Sequence, residues 1–384
     1  MKQESLAEYL IRYSNQDISP MHMPGHKRHM PKSIRRLFEN IESLDVTELP
    51  ATDDLHDAHG ILKECMDYAS RVYGSRQTFF LVNGSTCGIM ATIHASCRML
   101  GGASDTDCKP CEKSTTSFMP SKAGDSSLAI SSCDEGRVHV VSFDDMHISV
   151  RRAVEMAGAK LVELTRTQDA SADPLMIEAA LQTDAMEKVV LVTSPTYDGV
   201  ISDIKTISNI VHENGGILIV DEAHGAHLKF LEKAWDRHGV IDGLDRYESA
   251  ISLGADIVIN SLHKTLPAFT QTALLHVCSQ AVDIDILRES LAIYETSSPS
   301  YILMASIDSC IRYMEGEGTD RLYKFYKYLS KFYDKINDTK YIRLIKPSES
   351  LHHYDISKIL ISSETCTGYE LARILREQDR KSVV

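Results

Sequence analysis

Lys264 stands in Asn260-Ser261-Leu262-His263-Lys264-Thr265, just past the apolar run Ile257–Ile259. A lysine at the carboxyl end of a buried strand, hemmed by apolar neighbours, can lose its proton and attack a carbonyl as a free amine. Read alone, its plainer role is a lysine whose head reaches water. Asp221 closes the run Ile217–Val220 in Val220-Asp221-Glu222-Ala223-His224-Gly225. A carboxylate there can hold the proton on a ring nitrogen, or it can cap a following helix. Asn83-Gly84-Ser85-Thr86-Cys87-Gly88 follows the run Thr78–Val82 and opens a helical pattern with Ile89, Ile93, Cys97 and Leu100 on one face. Backbone N–H groups at that helix start, with two hydroxyls, make a cradle for a monophosphate; an ordinary helix cap at Ser85 is the alternative. The segment lacks the lysine of a Walker loop and the spacing of a dinucleotide fingerprint. His147 follows Val138–Phe143 and could lie flat on an aromatic ring, although a lone histidine near a core is more often satisfied by hydrogen bonds.

Singly these signals are weak. Together they run in order along the chain, each at a strand's end: phosphate cradle, stacking ring, ring-nitrogen carboxylate, amine. That is the set a pyridoxal 5'-phosphate site on an α/β sheet requires. Metal chemistry finds less support. Cys108-Lys109-Pro110-Cys111 is one half of a zinc spacing, with Cys97 and Cys133 the nearby candidates for the other half. His22, His26 and His29 are interrupted by Pro24-Gly25, which breaks a helical metal site and marks a turn. No metal is expected.

The elements that must position these residues are legible in the same sequence. From about Asp54 to Cys278, short Val- and Ile-rich runs alternate with amphipathic helical patterns. The runs are Thr78–Val82, Val138–Phe143, Val189–Thr193, Ile217–Val220, Ile257–Ile259 and Ala273–Val277. Their near-continuous hydrophobicity is that of parallel strands buried on both faces. Ile204, Ile207, Ile210 and Val211 recur at helical spacing before the stop Gly215-Gly216, which completes a βαβ unit. Several in succession predict a mostly parallel, doubly wound α/β sheet with helices on both faces.

Residues 101–135, rich in Ser, Thr, Gly, Asp and Lys, read as a long disordered surface insertion. After residue 300 the chain turns helical (Tyr301–Met314, Arg321–Ile336), then α+β. The expected division is an N-terminal segment over 1–50, a cofactor-binding large domain over 51–300 and a small C-terminal domain over 301–384. The 384 residues are 43% hydrophobic and carry 41 Lys and Arg against 54 Asp and Glu, a net charge of −13. Such acidity argues against nucleic-acid or anionic-membrane partners, which need basic surfaces. No apolar run approaches the ~18 residues of a spanning helix, and the N-terminus is too polar for a signal peptide. Nine cysteines without regular spacing read as reduced thiols of a cytoplasmic protein.

Long stretches of the sequence resemble the bacterial Orn/Lys/Arg decarboxylases, pyridoxal-phosphate enzymes of the aspartate-aminotransferase fold. They are MHMPGHKR (21–28), TELPATDDLHDAHG (47–60), FFLVNGSTCGIMA (79–91), TSPTYDGVISD (193–203), LIVDEAHGAH (218–227), INSLHKTLPAFTQTALLHV (259–277) and TSSPSYILMASID (296–308). The resemblance implies decarboxylation of ornithine, lysine or arginine to the amine and CO₂ through a Schiff base on Lys264. It implies Asp221 as partner of the pyridine nitrogen, His224 lining the ring beside that carboxylate, and His147 stacked on the other face. Ser85, Thr86, Ser261 and His263 match phosphate ligands. Thr296 and Ser297 match a segment that reaches the phosphate from a neighbouring subunit, which implies a homodimer or larger assembly. Transamination or elimination on the same site, or a relative that has lost catalysis, are the alternatives. Three departures stand out: the 101–135 insertion, Asp144-Asp145-Met146 with Ile148 around His147, and an end twelve residues after Ala372, earlier than the family's C-terminal domain.

Overall fold

Seven strands build the central sheet: β1 (Gln77–Leu81), β2 (Val138–Phe143), β3 (Lys160–Leu164), β4 (Glu187–Thr193), β5 (Ile217–Asp221), β6 (Ile257–Asn260) and β7 (Ala273–Val277). The structure is a computed structural model and describes residues 6–21, 23–101, 138–166, 171–182, 187–336, 341–344, 353–377 and 381–382. The sheet order is β1-β7-β6-β5-β4-β2-β3. Only β7 runs against its neighbours, β1 and β6; the remaining pairs are parallel. This is the mostly parallel, doubly wound α/β sheet expected from the sequence. The insertion over 101–135 and its cysteines lie outside the described residues, apart from Gly101, as does His22.

The central strands are buried because they are largely apolar; their few polar members, His139, Ser142, Asp221, Asn260 and His276 among them, are buried with them. Every residue of β2, β5, β6 and β7 is inaccessible. The edge strand β3 is the exception: Lys160 and Glu163 face out, as edge strands need to discourage further pairing. It was missing from the predicted runs because those charges interrupt its apolar pattern.

Helices flank the sheet: α1 (Ile61–Tyr73), α2 (Gly84–Gly101), α3 (Ile148–Met156), α4 (Ile204–Glu213), α5 (Leu228–His238), α6 (Ile284–Tyr294), α7 (Tyr301–Tyr313) and α8 (Thr319–Ile336). Local chemistry sets their starts. Asp203 accepts from Thr206 N to cap α4, Asp283 accepts from Asp285 N and Ile286 N before α6, and Ser300 accepts from Leu303 N before α7. α7 ends at Tyr313, one residue short of expectation, and passes through a wider turn over Met314–Gly318 into α8.

The C-terminal part is tied back to the sheet domain. His353–Tyr354 pairs antiparallel with Val200–Ile201, in the chain between β4 and α4. A second apolar cluster of Ile201, Leu228, Leu231, Trp235, Ile241, Tyr247 and Tyr326 joins α5 to α8.

Candidate active site

Register places the chemistry. Asp221, last in β5, pairs with Thr193 on one side and Ile259 on the other. The chain leaving β6 therefore passes close to Asp221, and it turns at once into a one-turn helix, Leu262–Thr265. In open α/β sheets, ligands settle outside the carboxyl ends of the strands where the strand order reverses. Here the reversal lies between β2 and β4, and the candidate residues gather at that end.

Lys264 Nζ lies 3.2 Å from His224 Nε2. Burial lowers the basicity of Lys264; the Asp221 carboxylate opposes this, and the charge of Lys358 reinforces it. Asp221 is 4% exposed and accepts from Ala223 N at 3.1 Å. Burial raises its pKa, with Lys264 pulling the other way. His224 is pushed down to about 3 by burial, then by Lys264 and Lys358. His147 is close enough to act electrostatically on both Asp221 and His224. It caps α3 as well, its Nδ1 accepting from Ser149 N at 3.2 Å.

The phosphate candidates come from two distant parts of the chain and meet. Ser261 Oγ donates to Ser85 Oγ at 2.9 Å, at the N-terminus of α2, with Thr86 exposed one residue on. His263 Nδ1 lies 3.0 Å from Thr272 O, and burial lowers its pKa. Thr296 and Ser297 do not join them within this chain. Thr296 N donates to Asn83 Oδ1 at 3.4 Å, its carbonyl lies 2.8 Å from His56 Nε2, and Ser297 is exposed.

Supporting residues carry this arrangement, and several had no sequence signal. Glu222, fully buried behind Asp221, accepts from Ala250 N at 2.8 Å and from Ser249 Oγ and Asn260 Nδ2 at 3.0 Å. Burial still pushes it up to about 7. The turn Pro24–Gly25 packs on the Lys264 helix: Gly25 N donates to His263 O at 2.6 Å, and a Cβ on Gly25 would sit 2.8 Å from backbone atoms of Leu266. Only glycine fits that approach. Asp145, one of the departures noted ahead of His147, pairs with the buried Arg166 at 2.7 Å. The unexpected member is Lys358, whose Nζ lies 3.4 Å from His224 Nδ1. It is 134 residues from His224 in sequence, and no motif announces it.

Comparison with known proteins decides the family. The sequence pattern of the Orn/Lys/Arg decarboxylase major domain matches residues 5–102 and 122–362. The chain belongs to the Orn/Lys/Arg decarboxylase family. The unmatched gap falls inside the insertion read from composition. An uncharacterized Bacillus subtilis protein, YaaO, is 31% identical over 96% of this chain and 69% of its own length. The arginine decarboxylase of Bacillus subtilis is 27% identical over 96% of this chain and 68% of its own. The solved lysine decarboxylase A from Pseudomonas aeruginosa has the same fold, with a TM-score of 0.58 at 20% identity. That alignment takes in 91% of this chain but 46% of the solved one. Aminotransferases share the fold too, in keeping with the fold the sequence implied. Among the described residues, no helix of this decarboxylase-family chain is long and apolar enough to cross a membrane.

Proposed function

We propose that this chain decarboxylates a basic amino acid of the ornithine, lysine or arginine type, using pyridoxal 5'-phosphate bound through Lys264. The observation that carries the reading is a half-buried, less basic Lys264, just past the end of β6, acting on a buried Asp221 at the end of the adjacent β5.

The residues present fit that cofactor. Asp221 is a buried carboxyl whose hydrogen-bond donor is one backbone N–H, so a protonated ring nitrogen would complete its needs. Two hydroxyls, Ser85 and Ser261, meet at the start of α2, where a helix terminus favours a phosphate dianion. Thr86 and His263 add donors on the same two turns. Lys264 would hold the cofactor covalently, and His147 and His224 line the cleft beside Asp221.

When bound, the cofactor supplies an electron sink for the pair left behind by departing CO₂. The protein's part is electrostatic. Asp221, held away from water, keeps a proton on the ring nitrogen, which is where negative charge would develop. The burial of Asp221 keeps water from the carboxylate and so strengthens its charge interactions. His224, neutral at physiological pH, can pass a proton between Lys264 and the reacting atoms.

We further infer a homodimer or larger homo-oligomer, with residues 51–300 as the cofactor-binding unit and 301–384 as the smaller C-terminal one. Leu37, Ile41, Leu44, Val46 and Leu49 leave a run of large apolar side chains exposed along the N-terminal segment. Such surface on a folded chain is usually covered by a partner. On this reading the exposed Ser297, next in the chain to the Thr296 that donates to Asn83, would serve another copy's phosphate site. The test of function is direct. The purified chain is incubated with pyridoxal 5'-phosphate, reduced with borohydride and mapped, then assayed for amine and CO₂ release from ornithine, lysine and arginine. Label on Lys264 with release from one of the three is expected; label elsewhere, or no release from any, overturns the reading.

A further inference from the structure

His224 is held between two lysines, and the chemistry of an imidazole restricts what both can be. Its Nε2 lies 3.2 Å from Lys264 Nζ and its Nδ1 lies 3.4 Å from Lys358 Nζ. A neutral imidazole has one N–H and one lone pair, so it accepts on one side and donates on the other. Two ammonium groups cannot both donate to it. One of the lysines must therefore present a lone pair.

The surroundings choose which. Burial lowers the basicity of Lys358 too, but two carboxylates, Asp355 and Asp198, oppose it, and Asp355 is itself held in its charged form. Lys264 is faced by Asp221, itself driven toward the neutral form by burial. The other charged groups around the pair do not reverse this order. Lys27, from the Pro24–Gly25 turn, acts on Lys358, while His147 acts on Asp221 and His224. His263 is neighbour to Lys264 on its own turn, and Asp145 acts on Asp221 from the start of α3.

Lys358 is also fixed in place. Asp355 N donates to Gly199 O at 2.8 Å, and Lys358 N donates to Asp355 O at 3.0 Å. Tyr354 Oη and Tyr333 Oη both donate to the carbonyl of Lys358. Gly199 has φ +100°, and a Cβ there would lie 2.8 Å from Lys358 Cγ, so the lysine stem runs over a glycine toward His224. The ring of Tyr197, 5.4 Å from that of His224 and edge-on to it, closes the other side.

We propose that Lys358 is a positioning residue: its ammonium donates to His224 Nδ1, which orients His224 Nε2–H toward Lys264 and keeps Lys264 a neutral amine ready for a carbonyl. This rests on the reading of Lys264 as the residue that takes the cofactor. In that step the amine lone pair attacks the aldehyde carbon and a carbon–nitrogen double bond replaces carbon–oxygen. The oxygen leaves as water with the two amine protons. His224, at Lys264, would lend a proton to the leaving oxygen and recover one from the amine, so no further reagent is consumed.

The test reads the amine itself and not turnover. Parent, Lys358→Met and Lys358→Arg are each incubated with pyridoxal 5'-phosphate across a pH series and quenched with borohydride. Label at Lys264 is then quantified by peptide mapping. The midpoint of capture against pH should rise by about one unit in Lys358→Met, so that capture below the midpoint is about tenfold slower. Lys358→Arg, which keeps the charge, should hold the parent's midpoint. A residue that merely braces the fold would lower the melting temperature without moving the midpoint. Should Lys358→Met fail to melt cooperatively, Lys358→Gln carries the same expectation. Label on Lys264 in all variants with an unmoved midpoint overturns this inference alone. A parent labelled on another lysine, or on none, overturns the functional reading and this inference with it.

Discussion

Replacing Asp355 by alanine should strip about 1–3 kcal/mol from the fold, and the figure follows from what its carboxylate holds. Asp355 has no exposure, and it accepts from Tyr326 Oη at 2.7 Å and from Ser357 N and Oγ at 2.9 Å. His227 Nε2 lies 3.2 Å away on its other oxygen. Ser357 is half-buried and can turn to water. Tyr326 and His227 cannot, because both are buried; they lie 2.9 Å apart and can satisfy one donor between them, and the donor left stranded costs about 1–3 kcal/mol. Burial alone would raise the pKa of Asp355, but His227, Lys358 and Tyr326 together hold it well below the usual carboxylate range. A depressed carboxylate contributes stability that is present above its unfolded value, ~3.9, and lost as pH falls through the folded one. Asp355→Ala should therefore remove both the stability at neutral pH and this part of its acid dependence. Urea unfolding followed by the fluorescence of the lone tryptophan, Trp235, which is buried against Tyr247, measures both. A cooperative transition with a loss below about 1 kcal/mol would show that the network around Asp355 is not what ties the C-terminal part to the sheet domain.

Asp221→Ala should lower turnover by roughly 10² to 10⁴ while leaving cofactor capture at Lys264 intact, because the carboxylate acts on charge that develops during reaction. Turnover within about a factor of two of the parent refutes that role. For the assembly, sedimentation at micromolar concentration should show a dimer or larger species, and dilution should release cofactor and activity together. A monomer that retains cofactor tightly contradicts a shared phosphate site.

The strands and the residues at their ends were legible in sequence for one reason: both signals are local. A strand buried on both faces must be largely apolar, so β2 and β7 read to the residue and β1 to within one. Chemistry placed just after such a run is carried to one edge of the sheet by the parallel arrangement itself. That is why Asp221, His224 and Lys264 share a cleft although Asp221 and Lys264 stand forty-three positions apart. The β3 edge escaped notice because an edge strand is allowed charges that a central one is not.

Lys358 and Asp355 were illegible for the opposite reason. Neither follows a strand of the sheet, and their positions depend on a two-residue pairing of His353–Tyr354 with Val200–Ile201. No periodicity marks two residues of β structure. What makes that pairing hold is distant in sequence: Gly199 leaves space for the Lys358 stem, and Tyr326 on α8 meets Asp355. Removing either contact would cost little that a pattern of hydrophobic residues records, yet it would move an ammonium away from His224. The residues that position the candidate nucleophile are thus set by tertiary packing, whereas the nucleophile itself is set by the strand that precedes it. Substitutions in the Gly199 loop or the Asp355–Lys358 turn should accordingly alter how readily Lys264 reacts before they alter whether the sheet forms.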